Sequence, residues 1–209
     1  MTNPLVFLHT SPAHIATFDQ LLAQLAPDQA VTHLVRVDLL DDARRDGLTD
    51  AVQADVEEVV LQAKADGGQV VLCTCSTIGG ISESIGGLRV DRPMAAKAVE
   101  IGSRIIVAAT LGSTIGPTRA LVIDSAEKAN KPIEIIELVI DGAFAHFEAG
   151  DLEGYANTIA RRLESAADQG DVIVLAQASM AGAATRCQGV NIPILSSPQL
   201  GLEAALAAL

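Results

Sequence analysis

Gln69-Val-Val-Leu-Cys-Thr-Cys-Ser-Thr-Ile-Gly-Gly80 decides how this chain is read. Val70 to Cys73 is a short unbroken apolar run, the pattern of a strand buried on both faces. It ends in small polar residues, Cys75, Ser76 and Thr77, where a strand should give way to a helix. Gly79 and Gly80 let backbone come close there. In an open parallel sheet, ligands bind at the carboxyl ends of strands. A thiol, two hydroxyls and helix N-terminal amides at such an end suit a carboxylate.

Working outward, the same alternation recurs. Leu5 to Leu8 reads as a first strand, and Ser11-Pro12 opens a helix to about Leu25 that buries Ile15, Phe18, Leu21 and Leu22. Val31 to Val37 reads as a second strand, and Asp38 to Gly47 as a charged, turn-like stretch. A helix over Thr49 to Ala65 precedes the opening segment, and a short one near Ile78 to Ile85 follows it. Asp91-Arg92-Pro93 starts a helix to Ile101. The pattern then restarts with a strand over Arg104 to Ala109, a polar loop Gly112-Ser113-Thr114, and a helix over Pro117 to Ala129. A strand over Ile133 to Ile140 comes next. Asp151 caps a helix with Leu152, Tyr155, Ile159 and Leu163 inward, and Asp171 to Leu175 is a strand. A helix near Met180 to Arg186, a strand over Ile192 to Leu195 and a helix over Gln199 to Leu209 close the chain.

Strands alternating with helices imply βαβ units and parallel sheets. Val70 to Gly80 also aligns with Val172 to Gly182, which lays Cys75 on Gln177, Thr77 on Ser179 and Gly80 on Gly182. Thr10 falls on Thr110, and Asp38 and Gly47 fall on Asp141 and Gly150. The expected architecture is α/β: two pseudo-symmetric Rossmann-like (flavodoxin-like) parallel-sheet domains with the site in the cleft between them. Residues 1–95 form the first domain and 96–196 the second.

Composition sets limits. The 209 residues carry 26 acidic and 14 basic side chains, a net charge of -12, which argues against nucleic acid because that binding rests on Lys and Arg. Aromatics are only 2% and Trp is absent, so Ala, Val, Ile and Leu must build the core. Met1 to Pro4 has no basic leader, and no apolar run reaches the ~18 residues of a spanning helix, so a cytoplasmic protein away from membranes is expected. The 3 cysteines should then be free. Neither a G-x-G-x-x-G nor a P-loop is present, and no cofactor is indicated. Cys73-x-Cys75 has no second ligand pair at zinc spacing, so no metal is expected.

Cys75 is the leading chemical group. A thiol at a helix N-terminus favours the reactive thiolate, which takes a proton from carbon or attacks an electrophile. The alternative is a buried, inert cysteine. Cys73 reads as core and Cys187 as structural. Thr10, Ser11, Ser76, Thr77, Ser113, Thr114 and Ser179 are hydroxyls at strand ends that either bind carboxylate or cap helices. His9 ends the first strand, either as a group facing the ligand or as a hydrogen-bonded interior histidine. His14, His33 and His146 show no constellation. The run Asp41 to Asp46 reads as a solvated loop.

Leu72-Cys-Thr-Cys-Ser-Thr-Ile-Gly79 resembles the first active-site segment of the aspartate/glutamate/hydantoin racemase superfamily. Val107-Ala-Ala-Thr-Leu-Gly-Ser-Thr114 resembles its Thr-x-x-Ser-Thr segment, and Val172-Ile-Val-Leu-Ala-Gln-Ala-Ser-Met-Ala-Gly182 its second active-site segment. Asp91-Arg-Pro-Met94 fits the connection between halves. The resemblance implies cofactor-independent chemistry at the carbon next to a carboxylate, with two cysteines flanking the substrate. It also implies that the helix over about 197–209 packs back on the first domain. Cys75 takes the first cysteine position, while Gln177 stands at the second. A primary amide does not replace a thiol as acid or base.

The expected function is therefore that of a racemase- or isomerase-type enzyme with a single thiol, acting on a small carboxylic acid. Cys75 and Gln177 are the catalytic candidates. His9, Thr10, Ser11, Ser76, Thr77, Ser113, Thr114, Ala178 and Ser179 are the substrate-binding candidates. Decarboxylation of a malonate-like acid and non-catalytic binding of a carboxylate metabolite are the alternatives, and a homo-oligomer is left open.

Overall fold

A computed structural model describes residues 5–209, so the reading of Met1 to Pro4 lies outside the described residues. In the first half, β1 (Leu5–His9), α1 (Ala13–Leu25), β2 (Val31–Val35), α2 (Val37–Asp46), α3 (Asp50–Ala65), β3 (Val70–Cys73), α4 (Ser76–Ser84) and β4 (Leu88–Arg89) follow one another. All four strands are parallel, in the order β2-β1-β3-β4. The second half holds α5 (Arg92–Ile101), β5 (Arg104–Ala109), α6 (Gly112–Lys128), β6 (Glu134–Val139), α7 (Ala143–Glu148), α8 (Leu152–Ala166), β7 (Val172–Leu175) and β8 (Ile194–Ser196). Its four parallel strands repeat the same order, β6-β5-β7-β8. A last helix, α9 (Ser197–Ala207), ends the chain.

Two compact units result: the chain up to Asp91 with Pro198–Leu209, and Arg92–Ser197. In the first unit, alternation along β1 and β3 sends side chains to opposite faces of the sheet. Val6, Leu8, Val71 and Cys73 pack with Leu39, Ala43, Val52, Val56 and Val60 of α2 and α3. Leu5, Phe7, Val70 and Leu72 pack with Phe18 and Leu22 of α1 and with Leu202 and Ala205 of α9. A Cβ added to Gly201 would come within 2.5 Å of the Val90 carbonyl, so glycine lets α9 lie flush. In the second unit, Ile106, Ala108, Ile173 and Leu175 pack with Ala143, Tyr155, Ile159 and Leu163.

Several expectations are corrected. Residues 38–47 are not a turn-like loop: Val37–Asp46 is helical, because Leu39 and Ala43 lie one helical turn apart and anchor it in the core. The charges of Asp41 to Asp46 are carried on the rest of that helix, where Arg45 pairs with Asp42 and Asp46. Residues 112–114 are not a loop but the first turn of α6, with Pro117 inside the helix. Proline costs α6 only the bond to the Ser113 carbonyl there. Leu152 faces water, 62% exposed, instead of inward. Residues 178–186 form a 3-10 run in place of an α-helix.

Candidate active site

In the first unit the carboxyl ends of β1 and β3 lie side by side, with Leu8 paired to Cys73. Cys75 is the extended residue that caps α4 and is 7% exposed. Ser76 and Thr77 form the first turn of α4, half-buried. Beneath that turn lies a buried ion pair. Arg89 donates from Nε and Nη2 to the two carboxylate oxygens of Asp91 at 2.7 and 3.0 Å, and both residues are buried. Arg89 Nη2 also reaches the Ser76 carbonyl at 3.5 Å. A Cβ on Gly79 would sit 3.1 Å from the Arg89 Cβ, which is the close approach that Gly79 permits. Cys73 is wholly buried, its sulfur 3.6 Å from the Cys75 carbonyl, and burial pushes its thiol well up. Cys73 is thus held in the thiol form.

Thr10, at the end of β1, is buried, and Ser11 accepts a hydrogen bond from the Ala13 N–H at the start of α1. That bond is capping geometry. His9 does not face outward. It is 0% exposed, with Nδ1 2.8 Å from the Thr74 hydroxyl and Nε2 2.9 Å from His33 Nδ1. Both of its ring nitrogens are therefore engaged by protein partners. His14 and His33, which show no constellation in the sequence, therefore belong to one. His33 Nε2 meets Asp19 Oδ1 at 3.0 Å, and His14 Nδ1 lies 3.5 Å from the Thr74 hydroxyl. Burial, aided by the two neighbouring imidazoles, lowers the His9 pKa to about 3, so His9 is neutral. Burial also lowers that of His14. His146 stands apart, paired with the exposed Asp151.

In the second unit Gln177 caps the 3-10 run (Ala178–Arg186). Its Oε1 accepts from the Thr110 N–H at 2.7 Å and from the Thr110 hydroxyl at 2.9 Å. Two donors on one atom identify that atom as the oxygen and aim the amide nitrogen away from Thr110. Among the described residues nothing accepts from that nitrogen. Thr110 is 3.4 Å from the Tyr155 hydroxyl, which lies 2.9 Å from Ser179 Oγ. Burial raises the Tyr155 phenol, against those two hydrogen bonds. Ser113 is exposed and Thr114 buried in the first turn of α6, and Ala178 and Ser179 are half-buried. Among the described residues the hydroxyls of Thr10, Thr77, Ser113 and Thr114 engage no hydrogen-bond partner, which leaves them available to a ligand.

Strand pairing gives the equivalence of the two units directly. Leu5 pairs with Val70 as Ile105 pairs with Val172. Counting along the strands, Cys75 corresponds to Gln177, Thr74 to Ala176 and His9 to Ala109. Thr74, His33, Arg89, Thr110 and Tyr155 are the residues around these strand ends that sequence reasoning left without a role. Register carries that information, and composition does not.

No family model and no curated protein matches the chain. Solved structures do. An aspartate racemase of Picrophilus torridus superposes with a TM-score of 0.71 at 12% identity, covering 100% of this chain and 94% of the other. A glutamate racemase of Francisella tularensis, solved with D-glutamate, gives 0.71 at 10% identity over 99% and 81%. An allantoin racemase of Klebsiella pneumoniae gives 0.65 at 15% identity over 99% and 87%. The chain has the α/β fold of the aspartate, glutamate and allantoin racemases, which is the fold that the sequence resemblance implies.

Proposed function

We propose that the protein is a cofactor-independent enzyme of the racemase type, acting at the carbon next to the carboxylate of a small acid, with Cys75 as its single thiol base. The observation that carries this reading is the placement of Cys75. It caps α4 at the carboxyl end of β3, next to the first turn that carries Thr77, whose hydroxyl has no partner among the described residues. Thr10 and Thr77 hydroxyls, with α4 backbone amides, would hold the carboxylate and the charge that develops when the α-proton leaves. Gln177, its oxygen fixed by Thr110, would present N–H to the substrate as an orienting donor.

The test is a panel of α-substituted acids in heavy water, followed by NMR. Exchange of the α-hydrogen that disappears in Cys75→Ala supports the enzyme. Binding without exchange or product supports a carboxylate sensor instead. With one thiol, a chiral substrate should exchange faster than it inverts, and Gln177→Cys should raise inversion relative to exchange. Efficient racemisation that is indifferent to changes at Gln177 would remove Gln177 from the site.

A further inference from the structure

The polar line behind Cys75 is not required by the fold. His9 and Thr74 correspond to Ala109 and Ala176 in the second unit, and His33, which pairs with Phe7 as Glu137 pairs with Val107, corresponds to Glu137. The same four-stranded sheet therefore forms without any of the three. Burying polar groups is unfavourable unless they are hydrogen-bonded, and here each bond leads to the next. The side chains run Asp19, His33, His9, Thr74, His14, with steps of 3.0, 2.9, 2.8 and 3.5 Å. Asp19 is exposed at 54% and His33 at 17%, so one end is wet. Phe7 and Phe18 pack on His9 with ring centroids at 5.7 and 5.6 Å, and on each other at 5.1 Å, which keeps the middle dry. Among the described residues these side chains form no group able to hold a metal ion.

We propose that Asp19, His33, His9 and Thr74 form a relay that moves a proton between solvent and His14, at the carboxyl end of the sheet where Cys75 sits. The proposal rests on the reading of Cys75 as a proton-transfer group. In the inward step His33 begins as an imidazolium, with Nε2–H donated to Asp19 and Nδ1–H to His9 Nε2. His9 carries its own proton on Nδ1 and donates it to Thr74 Oγ1, and the Thr74 hydroxyl, which also reaches the Leu8 carbonyl at 3.3 Å, turns from it to donate to His14 Nδ1. Each hydrogen then moves one place. His33 keeps Nε2–H and becomes neutral, His9 becomes the Nε2–H tautomer, Thr74 exchanges one hydroxyl hydrogen for another, and His14 becomes the imidazolium. One proton has left His33 and one has arrived at His14, and no other charge has changed. The depressed basicity of His9 suits this role, because it passes protons without storing one. Among the described residues, the titratable groups that meet His9 are His14 from α1 and His33 from β2, and His33 additionally meets Asp19 from α1.

The experiment reads the relay without any substrate, so its outcome is independent of whether Cys75 turns one over. Long-range 1H–15N correlations of the imidazoles are recorded on the full chain, uniformly labelled with 15N, across pH 8 to 5. The expected result is that His9 changes from the Nε2–H to the Nδ1–H tautomer as His33 gains its proton, with a common midpoint. Asp19→Asn should change the pH at which His9 switches, and His33→Phe should leave His9 in one tautomer throughout. A His9 that keeps one tautomer while His33 titrates in the unmodified protein overturns the proposal. So does a tautomer change that persists in His33→Phe. If His33→Phe does not fold, the unmodified protein and Asp19→Asn decide the matter alone.

Discussion

The two units solve the same folding problem with different chemistry at the same strand ends. Where the first has Cys75, the second has Gln177. Where the first buries imidazoles behind that position, the second has Ala109 and Ala176 and a hydroxyl group chain through Thr110, Tyr155 and Ser179. Below the helix that follows, the first buries the Arg89–Asp91 pair, while the second has Ser196 at the position of Arg89. Two sheets of one topology thus tolerate either a titrating or a non-titrating lining. The lining differs between the units while the apolar alternation beneath it is kept.

The comparison is broken most sharply at the thiols. Cys75→Ala should lower α-hydrogen exchange by about 100- to 10,000-fold, the range a positioned acid–base contributes. Cys187→Ser should leave it unchanged. Limited alkylation followed by peptide mapping should label Cys75 first. Burial pushes up Cys73, and burial and Glu164 push up Cys187, so both are poor nucleophiles. Preferential labelling of Cys187 would reverse the assignment.

The ion pairs come next. Asp91→Asn strands a buried guanidinium and should cost about 3–5 kcal/mol in urea unfolding. In the second unit Arg92 pairs with Asp124 near the surface, so Asp124→Asn should cost under ~1 kcal/mol. Equal effects would mean that burial does not separate the two pairs.

A pH series sharpens the contrast of the linings. The His9 pKa in the folded chain, about 3, lies below the ordinary value of 6.5, so the unfolded chain binds the extra proton first. Stability is fully present above about 6.5 and falls as pH drops toward 3, by at most about 1.4 kcal/mol per unit for one such group. Replacing His9 with alanine, the residue of the second unit, should flatten that slope, measured as urea midpoints at pH 7 and pH 5. The carboxylates of Asp151 and Asp171 act lower. Hydrogen bonds from backbone N–H groups hold both below the usual range, so their contribution is present above ~4 and lost as pH falls further.

The smallest effect expected is at Thr118. Its hydroxyl is buried and has no hydrogen-bond partner among the described residues, so Thr118→Val should be neutral or stabilising by about 1 kcal/mol.

How far the sequence speaks follows from these particulars. Val70 to Cys73 and Val172 to Leu175 are unbroken apolar runs, so both central strands and their polar ends are legible from composition alone. The alignment of Cys75 with Gln177 is legible too, because it needs only the order of small residues after each strand. Leu39 and Ala43 hide a helix among charges, since two anchors are too few to outweigh Asp and Arg in a window average. The His9, His33 and Thr74 line is illegible for a different reason. Its members come from two strands and the residue that follows a third, and only the pairing of Phe7 with His33 and of Leu8 with Cys73 brings them together. Tyr155 sits at a helical core spacing and reads as packing until its hydroxyl is seen beside Ser179.

The docking of α9 has a consequence for the order of events on the ribosome. Leu202 and Ala205 cover the sheet face formed by Leu5, Phe7, Val70 and Leu72, and Gln69 donates to the Leu209 carbonyl. Residues 198–209 are translated only after all of Arg92–Ser197, a delay on the order of ten seconds at typical elongation rates. The half that is made first is thus completed last. Until then the nascent chain presents an uncovered strip of Leu, Val and Phe, the kind of transiently exposed apolar surface that chaperones protect from aggregation.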